Sequence, residues 1–122
     1  MKVNESAENY LEAIFMLKKK NGFVRSIDVA HELEFTKASV SVAMKSFREK
    51  GYIVIDGAGG ISLTPSGLEI AEKVYERHNV IASALMALGV NKDTAFEDSC
   101  KIEHVISDES FEKLKEFLNK QK

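Results

Sequence analysis

Residues 36–64, with the sequence TKASVSVAMKSFREKGYIVIDGAGGISLT, decide the fold of this chain. Their first part predicts a helix over residues 37–50, because apolar side chains recur at helical spacing and Gly51 ends the run. The apolar positions of this helix are Ala38, Val40, Val42, Ala43 and Phe47. Its polar face carries small hydroxyl groups and two lysines, and comprises Thr36, Lys37, Ser39, Ser41 and Lys45.

A β-hairpin is predicted directly after Gly51. Residues 52–55 are strand formers, and residues 61–63 alternate between apolar and polar. The segment 56–60 between them is rich in glycine, so we expect a flexible tip.

Two helices are predicted before this segment, over residues 5–20 and 26–35, with Asn4 and Ser26 as their caps. The order helix, short helix, polar-faced helix and hairpin is typical of a winged helix-turn-helix. In that fold the polar-faced helix enters the major groove of DNA, so Thr36, Lys37, Ser39, Ser41 and Lys45 are the predicted DNA contacts. A small core used for protein contacts is the alternative.

Three helices are predicted after the hairpin, over about residues 65–88, 93–103 and 108–122. Asp93 or Thr94 is expected to cap the second of them, and Ser107 the third. The expected fold class is therefore mainly α with a small β-hairpin wing. A winged helix-turn-helix in residues 1–64 is followed by a helical domain in residues 65–122.

Composition limits the function classes that the chain can serve. It has 122 residues, a net charge of −2 and one cysteine, so it cannot form an internal disulfide. Residues 1–64 carry nine Lys and Arg against eight acids, and residues 65–122 carry eight against eleven, which gives charges of +1 and −3. DNA binding must therefore come from a local patch. We expect a cytoplasmic protein, because no signal peptide or membrane span is evident.

Side chains that bind metal ions concentrate in the second half. Cys100, Glu103 and His104 are spaced i, i+3 and i+4, which places them on one face of a helix. His78 precedes the turn near Gly89 by about as many residues as His104 follows it, so the two imidazoles come level on antiparallel helices. Glu12 borders the apolar face of the first helix and can supply a further ligand. Taken singly, each residue is better explained as a core thiol, a solvated Glu-His pair or the edge of an amphipathic helix. Taken together, these explanations require a coincidence, because the one cysteine and two of the three histidines fall at one height on two facing helices.

Several stretches resemble the iron- and manganese-dependent repressors of the diphtheria toxin repressor and manganese transport regulator type. They are Glu8-Asn9-Tyr10-Leu11-Glu12-Ala13-Ile14, Thr64-Pro65-Ser66-Gly67, Arg77-His78 and Cys100-Lys101-Ile102-Glu103-His104-Val105-Ile106-Ser107-Asp108. The resemblance implies a winged DNA-binding domain followed by a dimerisation domain that holds a divalent metal. It also implies that the metal ligands are Glu12, His78, Cys100, Glu103 and His104.

The chain departs from both branches of that family. Asn9 stands where iron-type members have methionine and manganese-type members have aspartate. Cys100 stands where iron-type members have cysteine and manganese-type members usually have glutamate. Ala82 and Phe96 stand where iron-type members have the ancillary ligands Glu and His, and neither side chain can bind an ion. The predicted cofactor is therefore Fe(II) or Mn(II), at one principal site.

The sequence thus predicts a homodimeric, metal-activated repressor that binds a DNA operator of metal-ion homeostasis. An apolar run on the long helix is expected to form the dimer contact: Val80, Ile81, Ala82, Leu85, Met86 and Leu88. A winged-helix regulator without metal is the alternative. A thiol or zinc hydrolase that uses Cys100 and His104 is a remote one, so no enzyme activity is expected.

Overall fold

The computed structural model of the chain describes residues 5–120. Six helices and one hairpin follow each other in the predicted order. Their bounds are α1 Glu5–Asn21, α2 Ser26–Leu33, α3 Lys37–Glu49, β1 Ile53–Ile55, β2 Ile61–Leu63, α4 Pro65–Ala87, α5 Lys92–Ile102 and α6 Asp108–Lys120. The predicted fold class, mainly helical with a small antiparallel hairpin, is confirmed.

The N-terminal unit is built around the apolar face of α1. Helix α1 contacts α2 and β2, while α3 contacts α2 and β1. The side chains that are most completely buried in this core come from all of these elements: Leu11, Ile14, Val24, Val29, Val40, Met44, Ile53 and Ile61. The core thereby orients α3, which directs its remaining faces outward.

The hairpin pairs Ile53 with Leu63 and Ile55 with Ile61. Its glycine-rich tip, for which flexibility is predicted, contains two side-chain hydrogen bonds. The Asp56 carboxylate accepts hydrogen bonds from the backbone N–H groups of Ala58 and Gly60, at 2.9 and 2.8 Å. Because the bond from Ala58 joins the Asp56 side chain to the backbone two residues later, the tip contains an Asx turn.

Two of the predicted helix caps are wrong. The N-cap of α2 is Arg25, whose backbone N–H donates to the Asp28 carboxylate, and that of α5 is Asn91, whose side chain accepts from Asp93. In both cases a polar side chain lies within one turn of the predicted cap, and only the backbone conformation decides between them. Ser107 caps α6 as predicted, since its hydroxyl accepts from Ser110 N–H. Asn4 lies outside the described residues.

Helix α4 begins against the hairpin. A Cβ atom added at Gly67 would lie 2.1 Å from the carbonyl oxygen of Tyr52, so the first turn of α4 approaches the backbone closely. Ala71, six residues after Pro65 on α4, is part of the N-terminal core. The chain divides into two compact units between Glu72 and Lys73, within α4. The predicted domain boundary after residue 64 stays a prediction.

The C-terminal unit consists of the remainder of α4 with α5 and α6. Gly89 ends the long helix in a left-handed conformation, with φ at 104°, and Val90 N–H donates to Leu85 C=O. This turn reverses the chain, so that α5 returns alongside α4 as the residue spacing predicted. None of the helices between residues 5 and 120 is long and apolar enough to cross a membrane.

Candidate metal centre and DNA-binding face

Three of the predicted metal ligands converge in the C-terminal unit. Ligand atoms of His78, Cys100 and Glu103 all lie within 4.8 Å of one another, and no other cluster of this kind occurs among residues 5–120. His78 Nδ1 is 3.1 Å from Glu103 Oε2. The turn at Gly89 brings α4 and α5 together at this height, and so unites residues separated by more than twenty positions.

Glu103 is the centre of this cluster. Its side chain is completely buried, and Oε1 accepts no hydrogen bond from the described part of the chain. His104 Nε2 lies 3.4 Å from the same oxygen, and the His104 side chain is 1% exposed. Burying an ionised carboxylate costs free energy when its oxygens lack hydrogen-bond or charge partners. A cation that the carboxylate coordinates removes that cost. His104 is thus adjacent to the cluster through Glu103 but is not part of the group of three.

The interpretation that Cys100, Glu103 and His104 share one helical face is wrong for His104. Helix α5 ends at Ile102, Glu103 is its C-cap, and His104 lies in the following turn. Arg77 on α4 contacts this end of α5, and its Nη1 donates to the backbone carbonyls of Glu103 and Ile106, each at 3.2 Å. These carbonyls need hydrogen-bond donors from outside the helix, and the guanidinium supplies them.

Arg77 is a functional residue that the ligand pattern alone did not indicate. Its side chain is only 13% exposed, and its Nη2 donates to the Asp108 carboxylate at the start of α6. The guanidinium also lies over the Phe111 ring, with 5.4 Å between the charge centre and the ring centroid. Arg77 therefore joins α4 to the chain segment that carries Glu103 and His104. Its position directly before His78 was the available signal.

The surroundings of His78 agree with a single principal site. The Phe96 ring packs against the His78 imidazole, with 5.4 Å between centroids, and Ala82 is fully buried. Ser99 donates to the backbone carbonyl of His78 and so links α5 to α4. An open cavity of about 770 Å³ adjoins this cluster and is lined by Cys100 and His78 together with Asp93 and Glu97. The thiol is consequently accessible from solvent.

Glu12 belongs to the N-terminal unit, on α1. Its residue exposure is 7%, which is low for a carboxylate. Glu12 is thus a buried ionisable residue, whereas Asn9 one turn before it is half-buried. The assignment of Glu12 as a metal ligand stays a prediction.

The donor set suits a divalent transition ion. It offers carboxylate oxygen, imidazole nitrogen and thiolate sulfur, all on side chains held by the fold. Carboxylates bind Mn(II) and Fe(II) readily, whereas thiolates favour softer ions and imidazoles suit most of the first row. The residues present therefore fit the predicted cofactor class.

The predicted DNA contacts lie on α3 and its N-cap. All five are exposed: Thr36, Lys37, Ser39, Ser41 and Lys45. Thr36 Oγ1 accepts from Ser39 N–H at 3.1 Å and donates to Ser39 Oγ at 2.9 Å, so Thr36 is used as a helix cap. Ser39 keeps its own hydroxyl hydrogen for an outside acceptor.

Two of these residues face the start of α2. Lys37 and Ser41 line a cavity of about 200 Å³ together with Ser26 and Ile27. The N-terminus of α2 directs the positive end of its helix dipole to this side, which favours an anion such as a DNA phosphate. This flank of α3 therefore suits the DNA backbone.

The assignment of Val42 to the apolar face of α3 is wrong. Val42 is 71% exposed, whereas Val40, Met44 and Phe47 are buried. Helical spacing from these three places Val42 on the opposite side. A helical wheel shows this once the buried positions are known, but the sequence alone does not reveal which apolar residues the core covers.

Comparison with known proteins agrees with both halves of this description. Residues 2–61 match a family described as iron dependent repressor, N-terminal DNA binding domain. Residues 64–122 match its companion, iron dependent repressor, metal binding and dimerisation domain. Together these matches extend over nearly the whole chain.

Similar proteins are transcriptional regulators. An HTH-type transcriptional regulator of Methanocaldococcus jannaschii is 35% identical over 97% of this chain and 96% of its own length. The regulator MntR of Lysinibacillus sphaericus is 27% identical over 93% of this chain and 81% of its length. The solved structure of the manganese regulator SloR has a TM-score of 0.80 at 28% identity over 98% of this chain, which spans about half (55%) of the SloR chain.

Proposed function

The chain belongs to the iron dependent repressor family, and on that basis we propose that it is a homodimeric repressor that binds its operator when Fe(II) or Mn(II) is bound. The observation that carries the proposal is the buried Glu103 carboxylate, held against His78 with Cys100 beside it. Regulation of metal-ion homeostasis by metal-dependent DNA binding is the function of the family.

We assign the metal to His78, Cys100, Glu103, His104 and Glu12. Three of them already cluster, and His104 adjoins Glu103. Glu12 is included because the family resemblance implies a ligand at this position and because its carboxylate is buried. A bound divalent ion would supply positive charge to these carboxylates and to the Cys100 sulfur.

A ligand from α1 would make DNA binding depend on metal. Glu12 and Glu103 are both buried carboxylates, and an ionised carboxylate is costly to bury without a compensating positive charge. Binding of the ion by both favours the arrangement that places the two recognition helices of a dimer on DNA. The ion can shift the protein toward the DNA-binding arrangement only by the difference between its affinities for the two arrangements, which is typically about 1–3 kcal/mol.

Cys100 influences which ion is selected. Its sulfur favours Fe(II), Co(II) or Ni(II) over Mn(II), because thiolates are softer ligands than carboxylates. We propose Fe(II) as the preferred signal, with Mn(II) as the competing one, in a reducing cytoplasm that keeps the lone thiol unoxidised.

Dimerisation is assigned to the second half, in keeping with the description of the matched family domain. Among the apolar residues predicted for the contact, Leu88 is 72% exposed, whereas Ile81 and Ala82 are buried within the chain. Val80, Leu85 and Met86 are half-buried. We therefore propose that the dimer contact is formed by Leu88 at the end of α4 and by the half-buried residues Val80, Leu85 and Met86.

The test is a metal-titrated DNA-binding assay with the full chain. Duplexes are first selected from a random library in the presence of Mn(II), and binding is then titrated with Fe(II) under anaerobic conditions and with Mn(II) in parallel. We expect binding to rise by about 5- to 150-fold with the ion and to fall on chelation.

The variant His104→Ala should lose this dependence while it keeps its helical circular dichroism. The matched control is His31→Ala, which changes an exposed histidine of α2 outside the metal cluster. This variant should keep the metal dependence of DNA binding. Full metal dependence in His104→Ala would place the site elsewhere. Operator binding that chelation leaves unchanged would indicate a regulator without metal.

A further inference from the structure

We propose that Val42 reads thymine, through contact between its methyl groups and the C5-methyl group of the base in the major groove. This inference rests on the proposed function, because it requires α3 to lie in DNA. It assigns sequence specificity to a residue that lies outside the predicted set of polar contacts.

The exposed and buried lines of α3 define where Val42 lies. Val40, Met44 and Phe47 are buried at intervals of four and three residues and form the core side. Ala38, Val42, Lys45 and Glu49 recur at four, three and four residues on the opposite side, and all four are exposed. Val42 is therefore near the middle of the line that points away from the core.

An exposed valine at this position contributes little to the stability of the described chain. Val42 is 71% exposed, so most of its apolar surface faces outward. A β-branched side chain also lowers helix propensity, since its χ1 rotation is restricted in a helix. Alanine or lysine would serve a solvated helix face better. An exposed valine in a helix that binds DNA is consistent with a contact made only in the complex.

The polar residues around Val42 are arranged for other contacts. Lys37 and Ser41 face the start of α2, where phosphate is the expected ligand. Thr36 is committed to capping through Ser39 N–H. At the centre of the outward line, Ala38 and Val42 therefore present methyl groups, and Lys45 next to them presents a cation.

Thymine is the base that this surface recognises. Among the four bases, only thymine carries a methyl group in the major groove, and apolar side chains distinguish it by contact. The neighbouring lysines favour a polyanion as the partner of this face, as opposed to an apolar protein surface. Val42, with Ala38 beside it, thus selects half-sites that hold thymine opposite the middle of α3.

The experiment removes single methyl groups from the DNA. Duplexes selected with the Mn(II)-loaded full chain are resynthesised with each thymine replaced in turn by deoxyuridine, which keeps the base pair and loses only the C5-methyl group. We expect binding to weaken about fourfold at one or two thymines of each half-site, since a buried methyl group contributes about 0.8 kcal/mol.

In Val42→Ala the same deoxyuridine replacements should cost little, because the contact is already lost. The control Lys45→Ala should weaken binding to all duplexes, lower the salt dependence by about one phosphate contact and keep the full deoxyuridine penalty. If wild-type protein binds selected duplexes and no deoxyuridine replacement matters, or if Val42→Ala keeps the penalty, the assignment of Val42 is wrong and the proposed function stands. If no duplex is selected with or without metal, the proposed function fails as well.

Discussion

Arg77 connects helix α4 to the segment that carries two predicted ligands. Its guanidinium donates to the carbonyls of Glu103 and Ile106 and to the Asp108 carboxylate. Arg77→Ala leaves these acceptors without a donor, so we expect apo stability to fall by about 1–3 kcal/mol. We also expect weaker Co(II) binding, with an altered visible absorption spectrum, because Glu103 and His104 are less well positioned.

A matched control is available on the same helix face. Lys73 lies 4.0 Å from Asp108 and is exposed, so Lys73→Ala removes a positive charge near Asp108 without affecting the two carbonyls. Exposed pairs contribute little, and we expect Co(II) affinity and thermal unfolding close to wild type. Equal effects of the two substitutions on the Co(II) spectrum would show that Arg77 acts only through charge.

Cys100 offers a direct test of metal preference. Cys100→Glu replaces a soft sulfur with a hard oxygen in the cluster with His78 and Glu103. The ratio of Fe(II) to Mn(II) affinity, measured by competition in metal-titrated DNA binding, should shift toward Mn(II) by about tenfold or more, because a thiolate selects against Mn(II). Cys100→Ser is the control, since it removes sulfur without adding a charge. No shift in Cys100→Glu would place Cys100 outside the coordination sphere.

At the scale of elements, the start of α4 depends on one close approach. Because a Cβ at Gly67 would lie 2.1 Å from the Tyr52 carbonyl oxygen, Gly67→Ala must displace either α4 or the hairpin. We expect a loss of about 1–3 kcal/mol in chemical denaturation. Gly57 in the hairpin tip is the control, since a Cβ there meets nothing within 4 Å. Gly57→Ala should remain within about 0.5 kcal/mol of wild type, and equal stability of both variants would contradict the close approach.

At the scale of the whole molecule, the proposed function requires two copies of the chain. Leu88 is 72% exposed at the end of α4, and Leu88→Glu should shift analytical ultracentrifugation from dimer toward monomer, because a charge cannot be buried in an apolar contact. Val54→Glu changes an exposed residue of β1 in the N-terminal unit and should leave the dimer intact. A dimer of unchanged strength in Leu88→Glu would move the interface away from this end of α4.

The sequence by itself determined the order and bounds of the secondary-structure elements. The helices end within one or two residues of the predicted positions, because spacing of apolar side chains, glycines and caps acts locally. It also indicated that His78 comes level with the segment that carries Cys100 and His104, since a short turn between two antiparallel helices fixes which positions face each other. These inferences need only helix geometry and chain connectivity.

Only the tertiary structure decided which faces are covered and which groups are paired. It left Val42 outside the core, ended α5 before His104 and assigned Arg77 to the carbonyls of Glu103 and Ile106. Each of these outcomes depends on side chains far apart in sequence that compete for the same neighbours. Local spacing cannot rank such competitors, because burial and hydrogen bonding are settled by packing between elements.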